Sequence, residues 1–82
     1  MDEEFKRMQW ASRRGMLELD LILEPFVRQH FADLDEAGRQ RYRKLMECQD
    51  QELFGWFLKK ERPADAELAQ MVGEVLAATR RV

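Results

Sequence analysis

Apolar residues in this 82-residue chain recur at intervals of three and four rather than two. Leu19, Ile22, Leu23, Phe26 and Val27 make one such stripe, and Leu68, Met71, Val72, Val75 and Leu76 make another. That spacing lines one face of a helix and scatters over both faces of a strand. The two prolines and four glycines fall mostly where helix ends would stand. A chain this short removes only about 60% of its extended-state surface from water on folding. It therefore has room for one core, and the 45% of residues that are apolar suffice to fill it. One cysteine, Cys48, and one histidine, His30, permit neither an internal disulfide nor a closed four-ligand zinc site. Packing alone must hold such a chain together, in a reducing compartment.

The pattern predicts one all-α domain over residues 1–82, a compact antiparallel bundle of five helices, the fourth short. The first helix should run over about 3–13, with Asp2, Glu3 and Glu4 at its positive end and Arg13 and Arg14 at its negative one. Phe5, Met8 and Gln9 would share its inner side, with Trp10 offset. The second should span about 17–31 and be kinked or split at Pro25, which removes a backbone donor. Asp35 is placed to cap a third helix through Glu47 that buries Tyr42, Leu45 and Met46. Asp50 is placed to cap the fourth, Gln51 to about Lys59, where Leu53, Phe54, Trp56, Phe57 and Leu58 are apolar nearly all round and demand cover on several sides. Asp65 would cap the last helix, to about Thr79, with Arg80 and Arg81 complementing its C-terminus.

Several function classes have no equipment here. Fourteen Lys and Arg against sixteen Asp and Glu leave a charge of -2 and a pI near 5.4, so no overall pull toward nucleic acid or anionic lipid is expected. The N-terminus lacks an export signal and the longest aliphatic run is Leu21-Ile22-Leu23, so a cytoplasmic protein that inserts in no membrane is expected. His30 has no second ligand at helical spacing and reads as lining the end of helix two. Cys48 sits beside Glu47, whose charge raises a thiol pKa, and reads as structural. No phosphate-binding loop, dinucleotide fingerprint or nucleophile motif is present, which argues against an enzyme. The basic cluster of Arg39, Arg41, Arg43 and Lys44 reads as a solvated face, and the ring-rich stretch Leu53 to Leu58 as core rather than a partner patch.

The segment Trp10 to Asp20 is the most informative. Gly15 can take a left-handed conformation that ends the first helix, or cap the second, and Glu18 can then reach back to a free backbone donor. Alternatively Arg14 and Glu18 pair with each other, or together offer a bidentate donor and a carboxylate to a partner. The crowding of Arg13, Arg14 and Trp10 at the same corner marks it as a binding site.

Arg14-Gly15-Met16-Leu17-Glu18, preceded by Trp10 and followed by Asp20 and Pro25-Phe26, resembles the Arg-Gly-x-x-Glu motif of the SdhE family of succinate dehydrogenase assembly factors. Leu45 to Asp50, Leu53 to Phe57 and Pro63 to Leu68 are similar to that family's middle and C-terminal signatures, so the resemblance covers about residues 10–76. It implies a five-helix bundle, in agreement with the periodicity. It also implies an assembly factor, not an enzyme, that binds the flavoprotein subunit of succinate dehydrogenase, and of fumarate reductase, and promotes covalent attachment of FAD there while binding no cofactor stably itself. Arg14, Gly15 and Glu18 are the functional residues it implies, with Trp10, Arg13 and Met16 adjacent. Mitochondrial relatives carry presequences, so a bacterial form acting as a monomer in the cytoplasm is expected, with no nucleic-acid partner. The rival readings are an antitoxin-like regulator, which would use the Arg39 to Lys44 face, and a generic helical adaptor.

Overall fold

Glu3 and Glu4 open the first helix, α1 (Glu3–Ala11), in a computed structural model that describes residues 3–79. Their charges face the helix's positive end. Its inner line is Phe5, Met8 and Ser12 rather than Phe5, Met8 and Gln9: Gln9 is exposed and Ser12 is fully buried. A serine is admitted to the interior because its hydrogen bonds are satisfied. Its hydroxyl donates to the Met8 carbonyl oxygen at 2.7 Å and meets the Tyr42 hydroxyl at 2.6 Å. With the serine proton spent on Met8, the phenol must be the donor of the second bond. The helix stops two residues short of expectation at this point, where Arg13 N–H turns back to the Trp10 carbonyl at 3.1 Å.

The second helix, α2 (Leu17–His30), continues unbroken through Pro25 into a single 3-10 turn over Phe31–Asp33. The carbonyl that the proline leaves without a donor is that of Leu21, an exposed residue, so a split into two pieces is not required. Its stripe is as expected: Leu19, Leu23, Phe26 and Val27 are buried and Ile22 packs at the edge. Asp35 caps α3 (Glu36–Met46), accepting from Gly38 N–H at 2.8 Å, and Tyr42, Leu45 and Met46 point inward. Phe26 stacks on the Tyr42 ring at 5.6 Å and Phe31 meets it edge-on at 5.8 Å.

The fourth helix, α4 (Asp50–Leu58), begins one residue early. Its cap is Gln49, whose backbone N–H donates to the Glu52 carboxylate at 3.1 Å, and not Asp50. Asp50 is unable to cap because its carboxylate is held by an arginine from another part of the chain, as described below. After α4, Lys60 adopts φ +60°, and both Lys59 and Glu61 N–H groups return to the Gly55 carbonyl at 3.2 and 3.0 Å. Asp65 caps α5 (Ala66–Thr79), accepting from Leu68 N–H at 3.0 Å. Arg80 and Arg81 lie outside the described residues.

All five helices feed one core. α5 packs on α2, α3 and α4, α1 packs on α2 and α3, and α4 also meets α2. Leu19, Leu23, Val27, Leu45, Leu53, Met71 and Val75 are fully buried at their meeting, each worth about 1.5–3 kcal/mol of hydrophobic transfer. The apolar wrap of α4 is only partly covered: Leu53 and Phe57 are buried, Phe54 and Trp56 half-buried, and Leu58 exposed. None of the described helices is long and apolar enough to cross a membrane.

The buried hydroxyl pair sets the cost of removing either partner. Ser12→Ala strands the Tyr42 hydroxyl without its partner and is expected to cost about 1–3 kcal/mol in urea unfolding. The double variant with Tyr42→Phe should cost less than the sum of the two single changes. Burial pushes the Tyr42 phenol well above its ordinary value of 10.0, outweighing the Ser12 hydrogen bond and the Arg14 charge that pull it down. The unfolded chain therefore ionises first, and stability is expected to fall as pH rises past 10. Lys44, raised by Asp65 and Glu67, loses its charge in the alkaline range too, so comparison with Tyr42→Phe isolates the tyrosine: its melting temperature should decline less steeply there.

Candidate functional site

The five residues between α1 and α2 form a corner, and Arg14 turns into it. Its Nε donates to Asp50 Oδ1 at 2.7 Å, one terminal nitrogen to the carbonyls of Ala11 and Met46 at 2.9 and 3.1 Å, and the other to the carbonyl of Cys48 at 2.8 Å. These acceptors have a common origin. Ala11 and Met46 end α1 and α3, where carbonyls lack intrahelical donors and the helix dipole is negative. Asp50 opens α4, where a carboxylate suits the positive end. One planar guanidinium thus joins three helix ends, with only 15% of its side chain exposed.

The arginine's own backbone is tied as well. Arg14 N–H donates to Asp20 Oδ1 at 2.8 Å, which clamps the link to the first turns of α2. Asp20, not Glu18, is the carboxylate that reaches back, and the cap position of α2 is taken by Met16 in extended conformation with no side-chain bond. Gly15 is the left-handed residue of the corner, at φ +79°, and has open space around the position of an absent Cβ. Of the two roles the sequence allowed it, it takes the left-handed turn and not the cap.

The remaining candidates divide between inside and outside. Met16 is half-buried against the core. Glu18 is exposed and makes no hydrogen bond or ion pair among the described residues, so the Arg14–Glu18 pair suggested by their spacing does not form. Residues 12–16 are not helical, and a separation of four has no lateral meaning across them. Arg13 pairs with Glu24 on α2 at 3.1 Å and lies 5.8 Å over the ring of Trp10, which is 74% exposed. These three side chains line a shallow pocket of about 220 Å³ with Gln9 and Arg28. Leu17 and Leu21, 69% and 65% exposed, extend the same helix face as Glu24. The periodicity of α2 had marked only its buried stripe. Leu17, Leu21 and Glu24 are legible as a second line, at i, i+4 and i+7, once Leu19 and Leu23 are assigned to the core.

The other candidate chemistry resolves into structure. The basic cluster of α3 is half-buried and neutralised rather than solvated: Arg39 pairs with Glu4 at 3.2 Å, Arg43 with Glu4 and Glu36, Arg41 with Glu74 at 3.7 Å, and Lys44 with Asp65 and Glu67 at 2.8 and 3.1 Å. Most of the partners come from other helices, far away in sequence. His30 ends α2 with its ring 5.4 Å from Phe26. Burial pushes the Cys48 thiol up, with Glu52 adding to the effect, and it donates to the Lys44 carbonyl at 3.6 Å. No group of three or more His, Cys, Asp or Glu among the described residues is arranged to hold a metal ion.

The sequence model of the family described as "Flavinator of succinate dehydrogenase" matches residues 6–79. Among curated proteins, the chain is 51% identical over 75 residues to a protein of Pseudomonas aeruginosa named FAD assembly factor SdhE, covering 92% of this chain and 89% of that one. Proteins of the same name are 49% identical over 75 residues in Pseudomonas savastanoi, covering 92% and 89%, and 48% identical over 69 residues in Shewanella oneidensis, covering 84% of each.

The geometry separates two classes of variant at this corner. Arg14→Ala leaves the carbonyls of Ala11, Met46 and Cys48, and the Asp50 carboxylate, without their donor and is expected to cost about 2–3 kcal/mol in urea unfolding. Arg14→Lys should recover little of that loss, because a point charge does not reproduce the planar fork. Gly15→Ala should cost about 1–2 kcal/mol from the left-handed backbone alone, since no neighbour obstructs the added methyl group.

Proposed function

The chain belongs to the flavinator of succinate dehydrogenase family, and from that membership we propose that it docks on the flavoprotein subunit of succinate dehydrogenase and promotes covalent attachment of FAD to a histidine of that subunit. The same surface would serve the related flavoprotein of fumarate reductase. The protein acts as a monomer in the cytoplasm, contributes no catalytic group, and holds no cofactor of its own; the partner's residues carry out the attachment.

The observation that supports this reading is the division of labour inside Arg-Gly-x-x-Glu. Arg14 is consumed by the scaffold, whereas Glu18, four residues on, is exposed and has no role in holding its own helix. A carboxylate that the fold does not use, on a corner the fold immobilises, is suited to a partner. Gly15 keeps the corner low, so the partner's surface can approach the backbone. Trp10 and Arg13 flank it, with the guanidinium fixed in direction by Glu24 and the indole. Arg14 acts in this scheme as a positioning residue. Against a rigid corner the partner's FAD-binding and capping domains can be held in one relative geometry, and fixing reacting groups in place is a large share of any rate. Charge-assisted contacts to Glu18 strengthen once docking excludes water.

The regulator reading has lost its main feature. The cations from Arg39 to Lys44 that would meet a phosphate backbone each have a carboxylate partner already.

The test is restoration. In cells lacking this protein, the flavoprotein is purified after adding back variants, and covalent flavin is read as fluorescence in a denaturing gel. Glu18→Ala should leave stability within about 0.5 kcal/mol of wild type, as exposed substitutions do, while covalent flavin falls at least tenfold. Arg14→Ala should lose both together. Full restoration by a folded Glu18→Ala protein would overturn the assignment of the corner.

A further inference from the structure

α4 and α5 do not close against each other along their whole length. Between them and the link that joins them lies an open groove of about 470 Å³. Its floor is apolar, formed by Trp56, Phe57, Val72 and Leu76, and Gly73 leaves open space where a larger side chain would fill it. This is where the ring-rich stretch of α4, too apolar to be wholly explained by the core, comes to the surface: Trp56 is half-buried, with one side left for something else.

The rim carries exposed positive charge beside that apolar floor. Every cation of the α3 cluster has a carboxylate partner, as described above. Lys60 and Arg62, which border the groove, are exposed and have no hydrogen bond or ion pair among the described residues. Lys59, just before them, lies 5.9 Å over the Phe54 ring. Glu61 is the one acid in this run, so the segment 59–62 carries three positive charges against one negative in a chain whose total is -2. The left-handed turn at Lys60, tied down by the paired bonds to the Gly55 carbonyl, holds this charged link against the groove.

We propose that the α4–α5 groove is a docking site for an acidic polypeptide segment bearing apolar anchor side chains. The anchors enter over Trp56, Val72 and Leu76, and carboxylates on the same segment meet Lys60 and Arg62. An apolar floor edged by unpaired cations selects for that combination: the apolar part supplies affinity and the charges supply orientation and exclude basic competitors. The proposal is independent of the flavinylation reading, since it uses no residue of the Arg14 corner.

Fluorescence anisotropy on the full chain tests it, with a fluorescein-labelled amphipathic peptide of repeated Glu-Leu-Leu-Glu units as probe and a Lys-for-Glu counterpart as control. The acidic peptide should bind saturably, at least tenfold more tightly than the basic one, and weaken as salt is raised. Lys60→Glu combined with Arg62→Glu should weaken it at least tenfold. Gly73→Leu, which fills the groove where space is open and replaces glycine by a better helix former, should do the same without lowering the melting temperature. If that variant misfolds, Ala69→Glu provides the second obstruction. Equal binding of both peptides, no saturable binding, or binding indifferent to the groove variants would overturn the proposal. So would a concentration-dependent dimer in sedimentation that Gly73→Leu abolishes, which would assign the groove to a second copy of this chain. Covalent flavinylation measured on the same variants reports separately on the Arg14 corner.

Discussion

The carbonyls that α1 and α3 leave free at their C-termini converge on a single cation, and the shape of the molecule follows from how Arg14 answers them. A helix end inside a small bundle is a liability, because its unpaired acceptors are partly withdrawn from water and its dipole is uncompensated. Here two such ends and the start of a third helix share one guanidinium, whose planar fork supplies donors in several directions at once. Asp50 balances the charge from the α4 side, and Asp20 fixes the arginine's own backbone from α2. Four helices are thereby referred to one residue. Gly15 must then turn the chain outward, which accounts for its positive φ better than any demand for space, since space is not limiting there.

Such a corner has consequences for function. Because its internal polar needs are met by Arg14, Asp20 and Asp50, the exposed Glu18 carboxylate owes nothing to the fold. Glu18 and Trp10 are available at a site whose backbone is held from four sides. On the proposed reading, the short motif joins a structural half and a contacting half, so that substitution of either half would lower activity for a different reason. Stability measurements distinguish them where activity alone does not.

Electrostatics is organised in the same manner. The net charge of -2 conceals a division between cations that are spent and cations that are not. The α3 cluster, the densest in the chain, is bridged to carboxylates of α1 and α5 and of the cap before α5, so it joins elements instead of attracting ligands. The sparser run at Lys59 to Arg62 is left over on a link and beside an apolar groove. Density along the chain was therefore a poor guide to availability. What decides availability is whether acids from distant elements come within reach, and only packing brings them there.

How much could be read in advance differs with the range of the interaction. The five helices, their caps at Asp35 and Asp65, and the buried stripes of α2, α3 and α5 are written in the sequence, because helical period and capping act over three or four residues and need no knowledge of neighbours. The Arg-Gly-x-x-Glu segment was legible as a corner for the same reason. The cap at Gln49 instead of Asp50, the burial of Ser12 instead of Gln9, and the inward turn of Arg14 away from Glu18 were not legible, since each depends on a partner 30 or more residues away: Arg14 for Asp50, and Tyr42 for Ser12. The sequence by itself determined which segments are helices and which faces are apolar. The tertiary structure alone decided which polar groups are consumed in joining those helices and which remain for a partner, because a hydrogen bond between distant residues exists only after packing has brought donor and acceptor together.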